Sequence, residues 1–524
     1  MKKIYAICFA VVLLFFGSCS EEDLNKRFMP FDEVSASMYF AENDQYSDWY
    51  KLMEKADMVN TFHLSNIPLT CFFVSNDILQ NYVKQKGYDN IDAFPAEKAK
   101  TLLKYHTLPD VVFSFSSFRD GRLADSTATG DYLACLLKPG EIFLNRDSKV
   151  IRWDIEVTNG VMHQLDHVID PIEDTMYDYL MNNDRYSIFR EAVQLTGNQE
   201  LYSQLNLDYV ALKARRTLFV TADETYNKVG INTTADLISQ YSPNDSDYEN
   251  LDNPLNKYVR YHLLERDSYT KDWGERMTWK HNNLKIVDDK GVTFPTMAGD
   301  ELVLVSSRQL DYLVNGLDLH KTYYNVPVRN GVIHEVLGDL PIKQQPSMIT
   351  LQEATDILHF NQIAEYRAKK QPKKMIFMNK KDFNPAVTWT SVPDTKKDAL
   401  GYIIFSSDSY NFLENGFLFG DCLYANLGPK GYVEIETVPV PAGTYSVKIM
   451  HKVVKQTGGN FQAYVDDVKL GSTIVAYTNG YDSFPWVTIG EVTFDKTSRH
   501  KIKMSVVKAG ELHWDMLVFE PLNK

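Results

Sequence analysis

The sequence has little basic charge, little cysteine and no long apolar run after its N-terminus, and each shortage excludes a class of protein. Its 524 residues include 55 Lys and Arg against 69 Asp and Glu, a formal net charge of −14. Phosphate binding requires a basic surface, so nucleic acid is not an expected partner. Of the five cysteines, Cys71, Cys135 and Cys422 follow the N-terminal segment. This odd, widely spaced set predicts no disulfide framework, and the spacing leaves open whether any two of them pair.

Motifs for catalysis and metal binding are also missing. The sequence contains no Gly-x-Ser-x-Gly elbow and no phosphate-binding loop. His334-Glu335 lacks the second histidine of a zinc protease helix. His163 and His167 are four residues apart, but the residues around them have strand character, which would separate the two rings by about 13 Å. We therefore expect a protein that is not an enzyme, with no catalytic residue and no metal site to assign.

The first 18 residues have the pattern of a secretory signal. Lys2 and Lys3 precede an apolar run from Ile4 to Phe16, which is too short to span a bilayer comfortably. Small residues then lead to Cys19. This pattern resembles a bacterial lipoprotein signal, in which the cysteine becomes the lipidated N-terminus. The acidic residues 21–23 resemble the surface-export signal of Bacteroidetes-type bacteria. The resemblance implies a lipid-anchored protein of the outer membrane that faces the cell exterior. The alternative is a cleaved signal with a chance cysteine.

Three motifs occur twice, in the same order, in the first two thirds of the chain. They occupy residues 70–77 and 217–224, residues 102–108 and 258–264, and residues 158–163 and 329–334. Self-similarity at so long a period indicates two copies of one domain. Each copy mixes helical patterns with alternating strand patterns. The third motif carries Asn-Gly, a strong hairpin signal.

These motifs resemble the fasciclin domain, which has a Thr-Leu-Phe block, a Tyr-His block and a closing Asn-Gly-Val-Ile-His strand. The second copy matches through Thr217-Leu218-Phe219, Tyr261-His262 and Asn330-Gly331-Val332-Ile333-His334. The first copy matches less well, through Phe72, Asn76, Tyr105-His106 and Asn159-Gly160-Val161-Met162-His163. The resemblance implies an α+β domain, a β-sandwich wedge with helices, that serves adhesion or extracellular binding. We interpret both Tyr-His pairs as core residues, with each histidine bonded to the backbone.

The last third of the chain has a different sequence pattern. Residues Leu351 to Ala368 have the pattern of a helix, and a basic run over residues 369–374 has the pattern of a linker. From about Ala386 onward, short alternating runs separated by turn residues indicate a β-sandwich. Hydrophobic content of 44% and aromatic content of 13% are sufficient for several folded cores.

Four segments of this last third resemble the galactose-binding-like, carbohydrate-binding-module jelly roll. They are Val440-Pro441-Ala442-Gly443-Thr444-Tyr445, Tyr464-Val465-Asp466, Phe484-Pro485-Trp486 and the closing His513-Trp514-Asp515. The resemblance implies ligand-binding candidates at Tyr432 and Trp486, whose rings would stack on a sugar, and at His513, where the family often has asparagine. The alternative for these residues is packing. It also implies that a structural calcium is an option, although its ligands are not identifiable. Trp514, Met516 and Val518 are expected to share one face, which makes Trp514 a core residue.

Together these patterns predict an α+β chain with an all-β jelly roll at its end. The expected segments are a lipoprotein signal peptide over residues 1–18, a tether over 19–28, a first fasciclin-like domain over 29–172, a second over 173–345, a helix and linker over 346–385, and the β-sandwich over 386–524. The expected function is non-catalytic binding of a polysaccharide or oligosaccharide in an uptake system, beside an outer-membrane transporter and neighbouring lipoproteins. An adhesin or envelope scaffold that binds protein partners through the fasciclin-like domains is the alternative, and an unrecognised enzyme is a third, weaker hypothesis.

Overall fold

The computed structural model of the chain describes residues 34–64, 67–145, 147–204, 215–281, 284–309, 311–355, 374–377, 387–390, 399–404, 416–417 and 420–522. The expected signal peptide, the tether and the lipidation site Cys19 lie outside these residues. The chain forms two compact units. The first takes the described residues up to Phe118 together with Asp125–Leu133 and Leu137–Pro171. The second takes Arg119–Ala124, Ala134–Leu136 and the described residues from Ile172 onward.

The first copy is a sheet with helices, as an α+β domain requires. Its helices are α1 Ala36–Glu42, α2 Ser47–Lys55, α3 Val59–His63, α4 Asn76–Gln85 and α5 Ala96–Tyr105, with a 3₁₀ turn at Phe115–Ser117. Its strands are β1 Leu69–Phe73, β2 Thr107–Pro109, β3 Gly121–Ser126, β4 Tyr132–Lys138, β5 Glu141–Leu144, β6 Ser148–Val157 and β7 Gly160–Leu165. In the first unit the strands are ordered β2-β1-β7-β6-β5. The predicted Asn-Gly hairpin is the connection between β6 and β7.

The second copy repeats this arrangement. Its helices are α6 Met176–Met181, α7 Ser187–Leu195, α8 Gln199–Ser203, α9 Asp223–Lys228, α10 Thr234–Tyr241, α11 Pro254–Tyr261 and α12 Thr270–Met277, with a 3₁₀ turn at Asp184–Tyr186. Its strands are β8 Arg216–Val220, β9 Leu263–Leu264, β10 Lys280–His281, β11 Leu284–Lys285, β12 Val292–Pro295, β13 Leu302–Arg308, β14 Asp311–Val314, β15 Leu317–Asp318, β16 Val326–Val328 and β17 Gly331–Glu335. They pair in the orders β16-β17-β8-β9, β12-β13-β14-β15 and β10-β11.

Strand register shows that the two copies share the same central strand pairing. In the first copy β1 runs parallel to β7 with Leu69 opposite Gly160, and in the second β8 runs parallel to β17 with Arg216 opposite Gly331. Both glycines have positive φ, 145° and 151°. A Cβ at Gly331 would lie 1.9 Å from the Arg216 carbonyl oxygen. The close approach of the two strands therefore requires glycine at this motif position.

A buried asparagine closes each copy in the same way. In the first copy Asn159 Oδ1 accepts a hydrogen bond from the Ala36 N–H at 2.9 Å, and its Nδ2 donates to the Phe62 carbonyl at 2.8 Å. In the second copy Asn330 does the same with the Met176 N–H at 2.9 Å and the Tyr202 carbonyl at 2.8 Å. We call this contact the asparagine clamp. It fastens the start of the closing strand to the first helices of its own copy.

The strands from Thr350 onward form a sandwich. They are β18 Thr350–Glu353, β19 Lys374–Phe377, β20 Val387–Thr390, β21 Ala399–Ile404, β22 Asp421–Asn426, β23 Tyr432–Glu436, β24 Gly443–Lys452, β25 Val454–Lys455, β26 Asn460–Val465, β27 Val468–Val475, β28 Tyr477–Thr478, β29 Trp486–Phe494, β30 Lys501–Lys508 and β31 Leu512–Pro521. The back sheet has the order β19-β21-β22-β31-β24-β29, and β18 also pairs with β31. The front sheet has the order β20-β23-β30-β26-β27. The two sheets enclose one apolar core, consistent with a jelly-roll sandwich.

Two local predictions fail in this region. The helix expected from Leu351 is wrong for Leu351–Glu353, because these residues belong to β18 and pair with β31; residues 356–368 lie outside the described part. Trp514 is fully buried in the sandwich core, as expected, but Met516 packs on the opposite face of the back sheet. The pairing of β24 with β31 shifts by one residue beside Asp515, and a bulge of this kind inverts the alternation of side chains.

Two further observations concern the described residues only. Cys71, Cys135 and Cys422 are buried free thiols. No helix in the described ranges is both long enough and apolar enough to cross a bilayer.

Candidate functional site

The outer surface of the front sheet carries aromatic and charged side chains together. On β23, Tyr432 and Glu434 are half-buried, whereas the residues between and after them point into the core. The same alternation on β30 places Lys503 and Ser505 on the outer side, and on β26 it places Tyr464 there. Alternation with period two puts all five on one surface of the sheet. We call these five residues the tyrosine–lysine face.

Strand register brings the members of this face together. Tyr432 is directly opposite Ser505, while Glu434 and Tyr464 are opposite Lys503 on either side of β30. The Lys503 Nζ lies 5.6 Å from the centroid of the Tyr432 ring and 5.9 Å from that of Tyr464. Both distances are within the range of a cation–π contact. The lysine therefore lies between the two tyrosines.

Charge on this face is balanced locally. The Lys503 Nζ lies 3.4 Å from Glu434 Oε2 and also contacts the Asp467 carboxylate. The hydrogen bond to Asp467 raises the pKa of Lys503, and the same bond lowers the pKa of Asp467. Lys503 is therefore an ammonium at neutral pH. The neighbouring strand β20 adds the exposed side chains of Thr388 and Thr390.

This combination of groups suits a polyhydroxylated ligand. A sugar presents a C–H face that packs on an aromatic ring, and hydroxyls that need directional donors and acceptors. Tyr432 and Tyr464 supply rings, Glu434 supplies an acceptor, and Lys503 and Ser505 supply donors. The sheet fixes the spacing of these groups because all are on paired strands.

Trp486 lies on the other sheet. It is the first residue of β29, opposite Met450 on β24. Its side chain is half-buried and packs against the apolar cluster on the outer side of the back sheet. That cluster consists of Ile286, Leu351, Phe417, Cys422, Tyr424, Met450, Met516 and Val518. Packing accounts for the position of Trp486, and the tryptophan does not join Tyr432.

His513 is also on the back sheet and is only 5% exposed. Its Nε2 lies 3.0 Å from Glu511 Oε2, and its Nδ1 lies 3.9 Å from the Cys422 sulfur. The hydrogen bond from His513 lowers the pKa of Glu511. The edge of the His513 ring meets the Tyr424 ring at a centroid distance of 5.2 Å. Both ring nitrogens thus have partners within the protein.

The structure therefore separates the three residues that sequence similarity grouped together. Tyr432 is on the outer side of the front sheet, whereas Trp486 and His513 are on the outer side of the back sheet. Tyr464 and Lys503, which complete the tyrosine–lysine face, were not among the predicted site residues. The alternation around Tyr464 was visible in the sequence, but the register that places it beside Lys503 was not.

The histidines of the repeated motifs are structural. His106 Nδ1 donates to the Leu102 carbonyl at 2.9 Å and its Nε2 accepts from the Ile169 N–H at 3.0 Å. His262 Nδ1 bonds the Tyr258 carbonyl in the same way, at 2.9 Å. Burial lowers the pKa of His106 and of His262 to about 4. The interpretation of both Tyr-His pairs as core is confirmed.

The histidine of the closing strand is equally buried in both copies. His163 Nε2 bonds the Phe113 carbonyl at 2.8 Å, and His334 Nε2 bonds the Ser268 carbonyl at 3.1 Å. Burial lowers the pKa of both, that of His334 to about 3. Among the described residues no group of three or more His, Cys, Asp or Glu side chains is placed to hold a metal ion.

The first copy carries an exposed aromatic pair. Phe115 and Trp153 are 41% and 47% exposed, and their rings stack with centroids 4.7 Å apart. The Phe115 N–H donates to Asp154 Oδ1 at 2.8 Å, which holds the 3₁₀ turn against β6. Ile151, two residues before Trp153 on the same strand, is 45% exposed. Exposed aromatic surface of this kind is typical of contact sites.

Ser498, His500 and Asp466 form a hydrogen-bonded chain in the sandwich. Ser498 Oγ is 3.2 Å from His500 Nε2, and His500 Nδ1 is 2.7 Å from Asp466 Oδ2. Serine hydrolases use this order of groups. Here the His500 ring lies flat on Phe494, with centroids 3.5 Å apart, and Asp466 Oδ1 accepts from the Lys501 N–H at 2.9 Å. The chain thereby ties the turn between β26 and β27 to the start of β30, which explains it without catalysis.

Comparison with known proteins finds a match in the first copy. Residues 44–171 match the fasciclin domain family. The match lies on the first copy, although the second carries more of the family's motif residues. A Synechocystis sp. protein, sll1483, is 28% identical over 133 residues, which cover 25% of this chain and 70% of that protein.

Two solved structures are similar to parts of the chain. One is the FAS1 domain pair of the insect cell adhesion molecule Fasciclin I, with 16% identity and a TM-score of 0.28, covering 57% of this chain and 98% of that one. The other is a family 35 carbohydrate-binding module from Clostridium thermocellum, with 10% identity and a TM-score of 0.16, covering 28% of this chain and 98% of that one.

Proposed function

We propose that the protein is a non-catalytic, cell-surface glycan-binding lipoprotein that serves a polysaccharide-uptake system. The tyrosine–lysine face supports the binding role most directly, because it combines two aromatic rings with oriented donors and acceptors on a rigid sheet. The N-terminal pattern supports anchoring through Cys19 in the outer membrane. An anchored protein raises the effective concentration of weak sites along a polymer.

A glycan-array screen of the chain from Ser20 onward tests the binding role. Variants Tyr432→Ala and Tyr464→Ala each remove one ring, and Tyr481→Ala is the matched control because Tyr481 is 93% exposed on a loop. Loss of one aromatic contact, about 1 kcal/mol, weakens binding by roughly fivefold. We expect that loss for the two face variants and none for the control. Binding to no glycan, or equal binding by all variants, would refute the role of this face.

The anchoring and the uptake role have separate tests. Cys19→Ser is expected to abolish incorporation of a labelled fatty acid and to release the protein from outer-membrane fractions. Continued labelling of the variant would contradict lipidation at Cys19. A transporter partner is expected to co-purify with the anchored protein after cross-linking in cells grown on the bound polysaccharide, and its absence from the cross-linked material would count against the uptake role.

The Phe115–Trp153 pair favours a second candidate function, an adhesin or envelope scaffold that binds protein partners through a fasciclin domain. A cell-aggregation assay distinguishes the two functions. An adhesin would lose activity in Trp153→Ala and keep it in Tyr432→Ala. Loss in Tyr432→Ala alone would favour the glycan-binding role.

A further inference from the structure

The second unit contains a polar cleft that none of the motifs anticipates. Its volume is about 190 Å³, and its walls include Tyr312, Tyr324, Asp120, Asp311, His320 and Lys321. Asp120 belongs to the second unit, as do the other residues named. A single water needs only about 10–15 Å³ of such space, so the cleft has room for a small organic molecule.

The wall at Tyr312 is held in place by helix α12. The Tyr312 ring meets the edge of the buried Trp273 ring at a centroid distance of 5.6 Å and an interplanar angle of 80°. A Cβ on Gly274 would lie only 2.4 Å from the Tyr312 hydroxyl. Glycine is an unfavourable residue within a helix. Its presence in α12 therefore allows the tyrosine hydroxyl to approach the helix closely.

Polar groups in the cleft are oriented before any ligand binds. Lys321 Nζ and Asp311 Oδ1 form an ion pair at 2.6 Å. His320 Nδ1 accepts hydrogen bonds from the N–H groups of Thr322 at 3.0 Å and Tyr323 at 3.2 Å. Because Nδ1 is an acceptor, the ring proton of the neutral histidine is on Nε2, which becomes a fixed donor. The cleft thus offers fixed donors and acceptors beside aromatic rings.

The charges of the cleft select the chemical class of ligand. The carboxylates of Asp120, Asp311 and Asp318 line it, and Lys321 and Arg308 are paired with the latter two. The two cations balance two of the three carboxylates, so the cleft keeps one net negative charge, which disfavours an anionic ligand. A neutral polyol would satisfy donors and acceptors without adding charge. We propose that this cleft is a second sugar site, which binds one neutral hexose unit. The proposal rests on the glycan-binding function and assigns that function a separate site on a separate domain.

Ligand-observed NMR on the chain from Ser20 onward tests the proposal, with D-glucose, D-galactose and D-mannose as neutral probes and D-glucuronate as the anionic counterpart. Gly274→Ala displaces Tyr312 while improving the helix propensity of α12, so the fold is expected to persist. Gly480→Ala is the matched control, because its Cβ meets only the Thr478 hydroxyl oxygen at 3.4 Å. Tyr312→Ala removes the ring itself and serves as the second variant if Gly274→Ala fails to fold.

The expected result is saturation transfer to at least one neutral hexose at millimolar concentration, at least tenfold weaker in Gly274→Ala and Tyr312→Ala and unchanged in Gly480→Ala. The double variant Tyr432→Ala/Tyr464→Ala should retain this binding, which separates the cleft from the tyrosine–lysine face. No transfer to any neutral hexose, stronger transfer to glucuronate, or equal binding by Tyr312→Ala would overturn the proposal. A positive glycan array together with any of these results would leave the proposed function intact and reject the cleft alone.

Discussion

The asparagine clamp yields a prediction that tests whether the two copies are held closed by the same contact. Asn330→Ala removes the bonds to the Met176 N–H and the Tyr202 carbonyl, and Asn330 is only 4% exposed. Each bond contributes about 1 kcal/mol net, and a buried group left without a partner costs about 1–3 kcal/mol. The expected loss of unfolding free energy is therefore about 3 kcal/mol, or roughly a 100-fold larger opening constant.

Hydrogen exchange followed by mass spectrometry measures this locally, which is necessary because a chain of several domains does not unfold in one step. Peptides from β8 and β17 should exchange roughly 100-fold faster in Asn330→Ala. Peptides from β1 and β7 should respond equally in Asn159→Ala, which loses the equivalent pair of bonds.

The exposed Asn232 provides the control, since its side chain reaches only the Gly230 carbonyl at 3.3 Å. Asn232→Ala should change stability by less than about 0.5 kcal/mol. A loss of unfolding free energy below about 1 kcal/mol in Asn330→Ala or Asn159→Ala, with Asn232→Ala unchanged, would show that the asparagine clamp does not hold its copy closed.

Three further predictions concern stability and chemistry. Burial lowers the pKa of His106 to about 4 and that of His334 to about 3. Stability that is present above the ordinary histidine pKa near 6.5 should therefore be lost as the pH falls toward 4, by about 3 kcal/mol for His106. Hydrogen exchange of peptides from α5 and β17, corrected for the intrinsic exchange rate at each pH, measures the loss, and protection that does not change with pH would contradict it. Gly331→Ala should destabilise the second copy by about 1–3 kcal/mol, because its Cβ would clash with the Arg216 carbonyl oxygen. Hydrogen exchange of peptides from β8 and β17 measures the loss, and unchanged exchange would refute the clash. A fluorophosphonate should leave Ser498 unlabelled by mass spectrometry, since the Ser498–His500–Asp466 chain is structural; labelling lost in Ser498→Ala would indicate catalysis.

Local sequence pattern predicted the features that local geometry controls. Asn-Gly predicted the same hairpin in both copies, and the tendency of buried histidine to be hydrogen-bonded predicted the core position of both Tyr-His pairs. Even the edge position of β16, which contains Pro327, agrees with a residue that cannot donate to a ladder.

The failures arise where register or a distant strand decides the structure. Leu351–Glu353 is a strand because β31, far along the chain, pairs with it. The bulge beside Asp515 places Met516 on the face opposite to the expected one, and the local sequence pattern does not predict this bulge. Tyr464 and Lys503 become neighbours only through the pairing of β26 with β30. Site residues on different strands are therefore less predictable than the strands themselves.

The position of β31 has a consequence for biosynthesis. This strand pairs with β24 along one edge, and with β22 and β18 along the other. A nascent chain that has not yet reached residue 512 leaves those three strands with unpaired N–H and C=O groups, which are templates for association with other chains. The back sheet is complete only after β31 has been translated. A chain that is truncated just before residue 512 therefore contains most of the domain but exposes these unpaired strand edges, and we expect it to aggregate.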